Sequence, residues 1–236
     1  MRIISKIYSV VYIPIFIIIA LFSIFAAYIV FLFTFNPKKA NIIARIWGKL
    51  SVIASFTKVE VIKEEFQLES RYVVMSNHQS AFDIFILYGY LPFDFTFLSK
   101  IEVFKIPLFG LAMKIVGAIG VERGNTKKLK STILAMQNYL KQDRSLLIFP
   151  EGTRSIDGKL LPFKKGGFML AKKSNAKILP VTIIGSKEVL RKGSFFINPF
   201  KKVKLIISKP IETKSKNLNS LMEEVRLIIE RNLEEN

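Results

Sequence analysis

The sequence predicts an α/β fold in which a mixed, largely parallel central sheet is covered by helices and preceded by an N-terminal two-helix membrane anchor. Two observations predict it. A long uncharged stretch opens the chain, and short apolar runs rich in β-branched residues then alternate with amphipathic helical patterns. Such alternation is typical of a largely parallel sheet. At 236 residues, the chain is long enough for one sizeable core. We therefore expect an anchor at residues 1–56 and an α/β domain at residues 57–236.

The first element is an apolar segment at residues 7–35, which carries no charged side chain over 29 positions. As a helix it would be about 43 Å long, which exceeds the hydrocarbon core of about 30 Å. A cleaved signal peptide normally has a shorter apolar region, followed by small residues rather than by Pro37, Lys38 and Lys39. The segment therefore predicts a helix that spans a membrane or dips into one leaflet, with Pro14 as a place for a bend.

The second element, at residues 37–56, has the pattern of an amphipathic helix. Its apolar residues recur every three or four positions, and Lys39, Arg45 and Lys49 lie largely off that stripe. Residues 1–59 contain seven basic residues and no acidic one, a bias that suits an anionic lipid surface. Packing of this helix against the rest of the domain is an alternative that the sequence leaves open. We favour a two-helix anchor in one leaflet, on the cytoplasmic face of a membrane.

The α/β domain is predicted to contain seven strands, each short, apolar and rich in β-branched or aromatic residues. Their ranges are 59–63, 72–76, 95–99, 117–121, 145–149, 178–184 and 203–208. An amphipathic helix is predicted over 126–141. A last helix is predicted to open with Ser220 and Glu223 as a capping box.

The composition predicts an anionic partner and excludes several kinds of site. The 36 Lys and Arg residues outnumber the 18 Asp and Glu residues and give a formal net charge of +18. The apolar content of 50% is too high for a disordered basic tail. The chain has no cysteine, which excludes disulfides, a thiolate nucleophile and cysteine-based metal sites. Its one histidine, His78, must carry any imidazole chemistry. We expect no metal and no cofactor.

A first polar motif, Asn-His-Gln-Ser-Ala-Phe-Asp at residues 77–83, follows the predicted strand that ends near Ser76. If Ser80 caps the helix that follows, Asp83 falls in its first turn and can reach back to the loop that holds His78. A carboxylate on one imidazole nitrogen fixes the tautomer and stabilises the imidazolium. Taken alone, the pair favours a hydrogen-bonded loop histidine and an ordinary acid at a helix start over a catalytic pair.

A second motif, Phe-Pro-Glu-Gly-Thr-Arg-Ser at residues 149–155, also follows an apolar strand, so that both motifs are expected at one sheet edge. Gly152 permits unusual dihedral angles, Arg154 offers a planar fork for a phosphate, and Glu151 can orient a neighbouring group. The alternative is a turn with a surface ion pair. A Walker A motif is excluded by the spacing from Gly152 to Gly158 and by Leu160.

The sequence resembles the 1-acyl-sn-glycerol-3-phosphate acyltransferases, also called lysophosphatidic acid acyltransferases. Four blocks match in order over about residues 72–184, and the first and third are complete. The first is N-H-x-S-x-x-D at Asn77 to Asp83, and the third is F-P-E-G-T-R-S at Phe149 to Ser155. The second block appears as K-I-E-V, P-L-F-G and G-A-I-G-V-E-R within residues 100–123, with Val103 in place of leucine. The fourth appears as Leu-Pro-Val at residues 179–181.

The resemblance implies transfer of a fatty acyl group from a thioester to the 2-hydroxyl of lysophosphatidate, which gives phosphatidate. His78 would be the general base and Asp83 would hold it. By resemblance, the substrate-binding residues are Lys100, Arg123, Glu151, Gly152, Thr153 and Arg154. The expected partners are an acyl-CoA or acyl carrier protein thioester as donor, lysophosphatidate as acceptor, and membrane lipids. No nucleic-acid partner is expected.

Two other functions remain as alternatives. A related acyltransferase of the same fold would act on glycerol-3-phosphate or on a lyso-aminolipid. A non-catalytic basic protein would bind lipids or nucleic acid through its charge, but two complete polar motifs at strand ends would then be idle. The apolar stretch at residues 103–119 would wall an acyl-chain tunnel or simply form core. The thirteen basic residues within 158–209 would face lipid headgroups, coenzyme A, an acidic carrier protein or solvent.

Overall fold

The computed structural model describes residues 2–69, 71–122, 126–142 and 144–235. Its elements, in chain order, are α1 (Arg2–Thr34), α2 (Pro37–Ala54), β1 (Lys58–Lys63), β2 (Tyr72–Ser76), α3 (Asp83–Tyr90), β3 (Phe95–Lys100), a 3-10 helix (Ile101–Lys105), α4 (Phe109–Ile115), β4 (Ile119–Val121), α5 (Thr126–Lys141), β5 (Ser145–Ile148), α6 (Lys165–Lys173), β6 (Lys177–Ile184), α7 (Ser186–Val189), β7 (Lys202–Ile207) and α8 (Leu218–Glu235).

Within the described residues, seven strands form one sheet in the order β1-β7-β6-β2-β5-β3-β4. Every neighbouring pair is parallel except β6 and β7, which are antiparallel. The predicted mixed and largely parallel α/β sheet is thereby confirmed. The carboxyl ends of β2, β5, β3 and β4 open on the same edge of this sheet, because the strands that carry them run in one direction.

The sheet is covered on both faces, and neighbouring residues of one strand face opposite layers. Tyr72 and Val74 of β2 belong to the core shared with α3, whereas Val73 and Met75 belong to the core shared with α6 and α8. All five residues of β2 are buried. This explains why the strand reads as a continuous apolar run instead of an alternating one.

The predicted starts of two elements are wrong by two residues or more. The fourth strand begins at Ile119 and not at 117, because Gly117 has a φ of +79°, which lies in the left-handed region and is incompatible with a strand. Helix α8 begins at Leu218, and the side-chain oxygen of Asn217 accepts the N–H of Ser220 at 2.8 Å. Asn217 therefore takes the capping position, and the predicted capping box of Ser220 and Glu223 is not formed.

Helices α1 and α2 lie on the face that α3 covers. Helix α1 continues through Pro14, and by length and composition alone it is sufficient to cross a membrane. Only 11% of its most apolar window is buried. Helix α2 packs on α3 through Gly48, where an added Cβ would lie 2.7 Å from the Cβ of Tyr88. The predicted apolar stripe of α2 is only partly exposed. Its exposed members are Ile42, Ile46, Leu50 and Ile53, and its partly buried members are Ile43, Trp47 and Ala54.

Candidate active site

The first motif leaves the sheet through Asn77, the residue that follows β2. Its buried side-chain amide donates to the carbonyl of Ile183 and accepts the N–H of Ile183, both at 2.8 Å. These two bonds to one residue of β6 replace the backbone hydrogen bonds that a longer β2 would make there. The main chain is therefore free to turn, and His78 stands at the carboxyl end of the central strand.

His78 and Asp83 form a direct pair. The Nδ1 atom of His78 lies 2.8 Å from Oδ2 of Asp83. The same oxygen accepts the N–H groups of Gln79 at 2.8 Å and Ser80 at 2.9 Å. The carboxylate is fully buried, and the imidazole side chain is 16% exposed. Asp83 accepts a hydrogen bond from Nδ1–H, so the tautomer leaves Nε2 as the basic nitrogen. Nε2 makes no hydrogen bond to any described residue.

The predicted first-turn position of Asp83 is confirmed, but Ser80 does not cap the helix. Helix α3 begins at Asp83 itself, and Phe82 occupies the capping position without a side-chain bond. The hydroxyl of Ser80 accepts the N–H of Phe82 at 3.0 Å and donates to the carbonyl of Leu190 at 2.6 Å. Ser80 therefore ties the loop to the segment that follows α7, while the helix N-terminus favours the charge of Asp83.

The second motif holds the backbone of the first. Oε1 of Glu151 accepts the N–H of His78 at 2.8 Å, and the N–H of Ser155 donates to the carbonyl of His78 at 2.8 Å. The ring of Phe149 stacks on the imidazole, with a centroid distance of 3.8 Å and an interplanar angle of 12°. His78 is thus fixed at its N–H, its carbonyl and its ring face.

Glu151 is 3% exposed, and both of its carboxylate oxygens are occupied. Its Oε2 accepts the N–H of Leu161 at 2.9 Å. Burial raises the pKa of this carboxyl above its usual range, and the N–H groups of Leu161 and His78 oppose that shift because they favour the charged form. In this structure Glu151 joins the His78 loop to residue 161, and its oxygens do not face an open site.

Thr153 and Arg154 lie in the loop after β5, the loop that holds the backbone of His78. Arg154 is half-buried, its guanidinium makes no hydrogen bond to the described part of the chain, and Thr153 is exposed. The carbonyl of Arg154 accepts from Nζ of Lys192 at 2.7 Å. Gly152 has a φ of +70°, and a Cβ there would lie 2.9 Å from Nζ of Lys164. Sequence analysis did not select Lys164, since no motif marks it and only the fold brings it over Gly152.

Lys100 stands at the same edge but farther along the sheet. It is the last residue of β3, it is exposed, and it pairs in register with Val121 of β4. Strand β5 separates β3 from β2, so Lys100 is displaced from the His78 strand by about 10 Å at the usual strand spacing. Arg123 lies outside the described residues. The roles assigned to all of these residues stay predictions.

Comparisons with known proteins agree on one family. The family model described as acyltransferase matches residues 58–184. A 1-acyl-sn-glycerol-3-phosphate acyltransferase of Helicobacter pylori is 34% identical over 68% of this chain and 68% of its own length. The chloroplastic enzyme of that name from Brassica napus is 33% identical over 75% of this chain, and the match spans about half of that relative, 52%.

A solved structure extends the likeness to nearly the whole chain. It is the crystal structure of the 1-acyl-sn-glycerophosphate (LPA) acyltransferase PlsC from Thermotoga maritima. The TM-score is 0.82 at 28% identity, over 98% of this chain and 97% of the other. The match therefore includes the two N-terminal helices as well as the sheet. The chain belongs to the 1-acyl-sn-glycerol-3-phosphate acyltransferase family.

Proposed function

We propose that this protein transfers a fatty acyl group from an acyl thioester to the 2-hydroxyl of lysophosphatidate and so forms phosphatidate. The observation that carries the proposal is the His78–Asp83 pair, in which a buried carboxylate holds one imidazole nitrogen and no described residue bonds the other. A base prepared in this way suits proton abstraction from a hydroxyl group. The names of the relatives supply the acceptor class.

In the proposed reaction, Nε2 of His78 takes the proton of the acceptor hydroxyl as its oxygen attacks the thioester carbonyl carbon. A new C–O bond forms, and the tetrahedral intermediate then collapses with cleavage of the C–S bond. The imidazolium returns its proton to the departing sulfur, so that ester and free thiol are produced. Asp83 stabilises the transient imidazolium through Nδ1. The acceptor oxygen attacks directly, so the chain needs no nucleophile of its own.

The phosphate of the acceptor is assigned to the predicted cations. Arg154 comes from the loop after β5, Lys100 from the end of β3, and Arg123 follows β4 in sequence. Charge-assisted bonds from such groups to a phosphate dianion are roughly twice as strong as neutral ones. We add Lys164 to this group because its ammonium lies over Gly152. Glu151 supports the group through the backbone and does not contact substrate itself.

The donor chain is assigned to an apolar cavity between the N-terminal helices and the domain. Its volume of about 70 Å³ holds only a short part of a fatty acyl chain, and the lining includes Ala27, Trp47, Tyr88, Phe109 and Met113. Helix α4 supplies two of these residues, which lie within the stretch 103–119 predicted as tunnel wall or core. Narrowing the cavity with Ala27→Leu should shift the donor preference to shorter acyl chains.

Residues 1–56 are proposed to hold the enzyme in one leaflet, on the cytoplasmic face. The isoleucine and leucine stripe of α2 and many large apolar side chains of α1 are exposed. Such a surface is stable when it is buried in lipid. Lysophosphatidate and its product reside in the bilayer, whereas acyl-CoA and acyl carrier proteins are soluble, so the site is expected where the two phases meet.

The test is a thioester-release assay on purified protein in nanodiscs, with product identification by mass spectrometry. The acceptors are lysophosphatidate, glycerol-3-phosphate and a lyso-aminolipid, each offered with acyl-CoA and with an acyl carrier protein thioester. Phosphatidate from lysophosphatidate, lost in His78→Ala, is the expected result. If only glycerol-3-phosphate or the lyso-aminolipid gave product, the protein would be an acyltransferase for that acceptor. Release with no acceptor, or none at all, would contradict acyl transfer.

A further inference from the structure

The segment between α7 and β7, residues 190–201, exposes three phenylalanines. Phe195 is 84% exposed, Phe200 is 72% exposed and Phe196 is 45% exposed. We call this segment the aromatic loop. Single exposed apolar residues are common on soluble proteins, but three aromatic rings within six positions form a patch that water solvates poorly. Basic residues bound the patch on both sides. They are Arg191, Lys192, Lys201 and Lys202.

The aromatic loop is tied to the N-terminal helices. The N–H of Ile197 donates to Oγ of Ser9 at 2.9 Å, and the side chains of Ser5 and Asn198 are also hydrogen-bonded. Within the loop, the N–H of Asn198 donates to the carbonyl of Val189 at 2.8 Å. The exposed rings therefore project from an anchored backbone whose partner, α1, is the most apolar helix of the chain.

A ring contact joins the aromatic loop to the end of α2. Phe200 and Phe56 stack with a centroid distance of 5.2 Å and an interplanar angle of 14°, and Phe56 is itself 59% exposed. Both residues have positive φ, +59° for Phe200 and +52° for Phe56. That region is disfavoured for bulky side chains. Phe56 and Phe200 thus hold a costly backbone conformation and expose their stacked rings. An apolar environment around the rings explains this arrangement better than the folding of the chain alone.

We propose that the aromatic loop and Phe56 enter the headgroup region of an anionic bilayer and make a second membrane contact beside α1. The rings would lie at the acyl boundary, and the flanking basic side chains would pair with lipid phosphates. Continuity with the exposed apolar face of α1 and α2 favours lipid over a protein partner, because a flat bilayer covers both surfaces at once.

This contact would also set the position of the reaction site, because hydrogen bonds connect the first residues of the aromatic loop to both catalytic motifs. The carbonyl of Leu190 accepts from Ser80 of the first motif. Nζ of Lys192 donates to the carbonyl of Arg154 in the second motif. Seating the loop in the headgroups therefore holds the entrance of the site against the lipid surface, where the acceptor lies. The inference rests on the proposed membrane attachment of residues 1–56.

The chain has no cysteine, so single-cysteine variants test the proposal directly. In Phe195→Cys, the new cysteine is labelled with an environment-sensitive fluorophore. The full chain is then reconstituted in vesicles of phosphatidylcholine and phosphatidylglycerol. We expect blue-shifted emission and quenching by a nitroxide attached near the lipid headgroup. Leu227→Cys on α8, 58% exposed on the other face of the sheet, is the matched control and should keep aqueous emission. Phe25→Cys reports on α1 in the same way.

The three labels separate the possible failures. Quenching at 25 and 195 but not at 227 supports the proposal. Quenching at 25 with emission at 195 like that at 227 would overturn the aromatic loop contact and leave the anchor intact. Aqueous emission at both 25 and 195 would overturn both. Omitting phosphatidylglycerol should make the label at 195 shallower, and unchanged quenching would remove the role given to the basic residues.

Discussion

A single oxygen, Oδ2 of Asp83, holds three donors at the residue scale: His78 Nδ1–H and the N–H groups of Gln79 and Ser80. The carboxylate therefore orients both the imidazole and the backbone that carries it. This pairing was predictable, because Asp83 is five residues from His78 across one strand-to-helix loop. The contacts of Glu151 and Phe149 with His78 were not, since they join residues more than seventy positions apart and depend on how the sheet orders its strands.

The first prediction concerns the dyad. His78→Ala should lower kcat by about 10²- to 10⁴-fold or more, since it removes the base. Asp83→Asn should also lower kcat strongly, because the imidazolium loses its compensating charge. Both variants are measured by thioester release, with circular dichroism to establish that they are folded. Near wild-type turnover in folded His78→Ala would rule out the mechanism.

The second prediction concerns Glu151→Gln. Glutamine offers one acceptor where the carboxylate serves the N–H groups of both His78 and Leu161, and its NH₂ would face the other N–H. We expect a loss of about 1–3 kcal/mol in the free energy of unfolding. In micelles, urea unfolding measures the loss, and Glu234→Gln, at an exposed position, is the control.

The same variant tests the raised pKa of Glu151. As the pH rises above about 4.5, this carboxyl ionises first in the unfolded chain, because its folded pKa is higher. The folded state then binds more protons, and the stability that Glu151 contributes falls with pH until its folded pKa is passed. The difference between wild type and Glu151→Gln should therefore shrink as pH rises through that window. A constant or growing difference would contradict the shift.

The third prediction concerns the phosphate cations. Arg154→Ala and Lys100→Ala should each raise the KM for lysophosphatidate much more than the KM for the acyl donor, because only the acceptor loses a charge-assisted bond. Lys173→Ala is the matched control, since Lys173 is exposed at the end of α6, near the opposite edge of the sheet. Steady-state kinetics with each substrate varied gives both constants. A selective rise in the donor KM would assign these cations to the coenzyme side.

At the element scale, helix α3 joins the site to the N-terminal helices. Its first residue is Asp83, and near its other end Gly89 touches the backbone of Lys49 in α2, where an added Cβ would lie 2.9 Å from the Lys49 nitrogen. The rings of Trp47 and Phe85 pack edge to face at a centroid distance of 4.9 Å. The sequence predicted α2 from its apolar stripe. It could not show that α2 and α3 pack through Gly48 and Gly89, because such close approach requires a glycine on both helices.

The fourth prediction tests this contact with two glycine variants. In Gly48→Ala the new methyl group would lie 2.7 Å from Cβ of Tyr88 and 2.8 Å from the carbonyl of Phe85, so α2 and α3 must separate. We expect a loss of about 1–3 kcal/mol and a lower kcat. In Gly166→Ala of α6 the new methyl group meets no described atom within 4 Å, so this variant should be neutral or stabilising by up to about 1 kcal/mol. Thermal unfolding in micelles compares them, and equal Tm values would contradict the tight contact.

On the scale of the whole molecule, the strands predicted from the sequence agree with those of the structure because the sheet is nearly all parallel. Buried strands give continuous apolar runs, and the ends of β2 and β5 are marked by the polar motifs that follow them. The shared edge for residues 77–83 and 149–155 follows from that rule. The strand order does not, because which strand lies beside β2 is decided by long-range packing and not by any local pattern. The distance of Lys100 from the dyad was unpredictable for the same reason.

The fifth prediction concerns the orientation of the whole chain. If residues 1–56 lie in one leaflet, a tag before Arg2 stays on the cytoplasmic side. Protease added outside intact cells, or outside spheroplasts if the source is a bacterium, should leave the tag uncut until the cells are lysed. Cleavage without lysis would establish a spanning helix. It would overturn the one-leaflet anchor without touching the catalytic assignment.

The two bonds between the Asn77 side chain and the backbone of Ile183 allow the opening of the catalytic loop to be followed by hydrogen exchange. An amide proton exchanges with solvent only when its hydrogen bond opens. The N–H of Ile183 is held by a side chain of the first motif, so its exchange with deuterium reports the opening of the His78 loop and not the separation of two strands. One backbone amide on a buried strand thus records the local stability of the catalytic loop, with no substrate present.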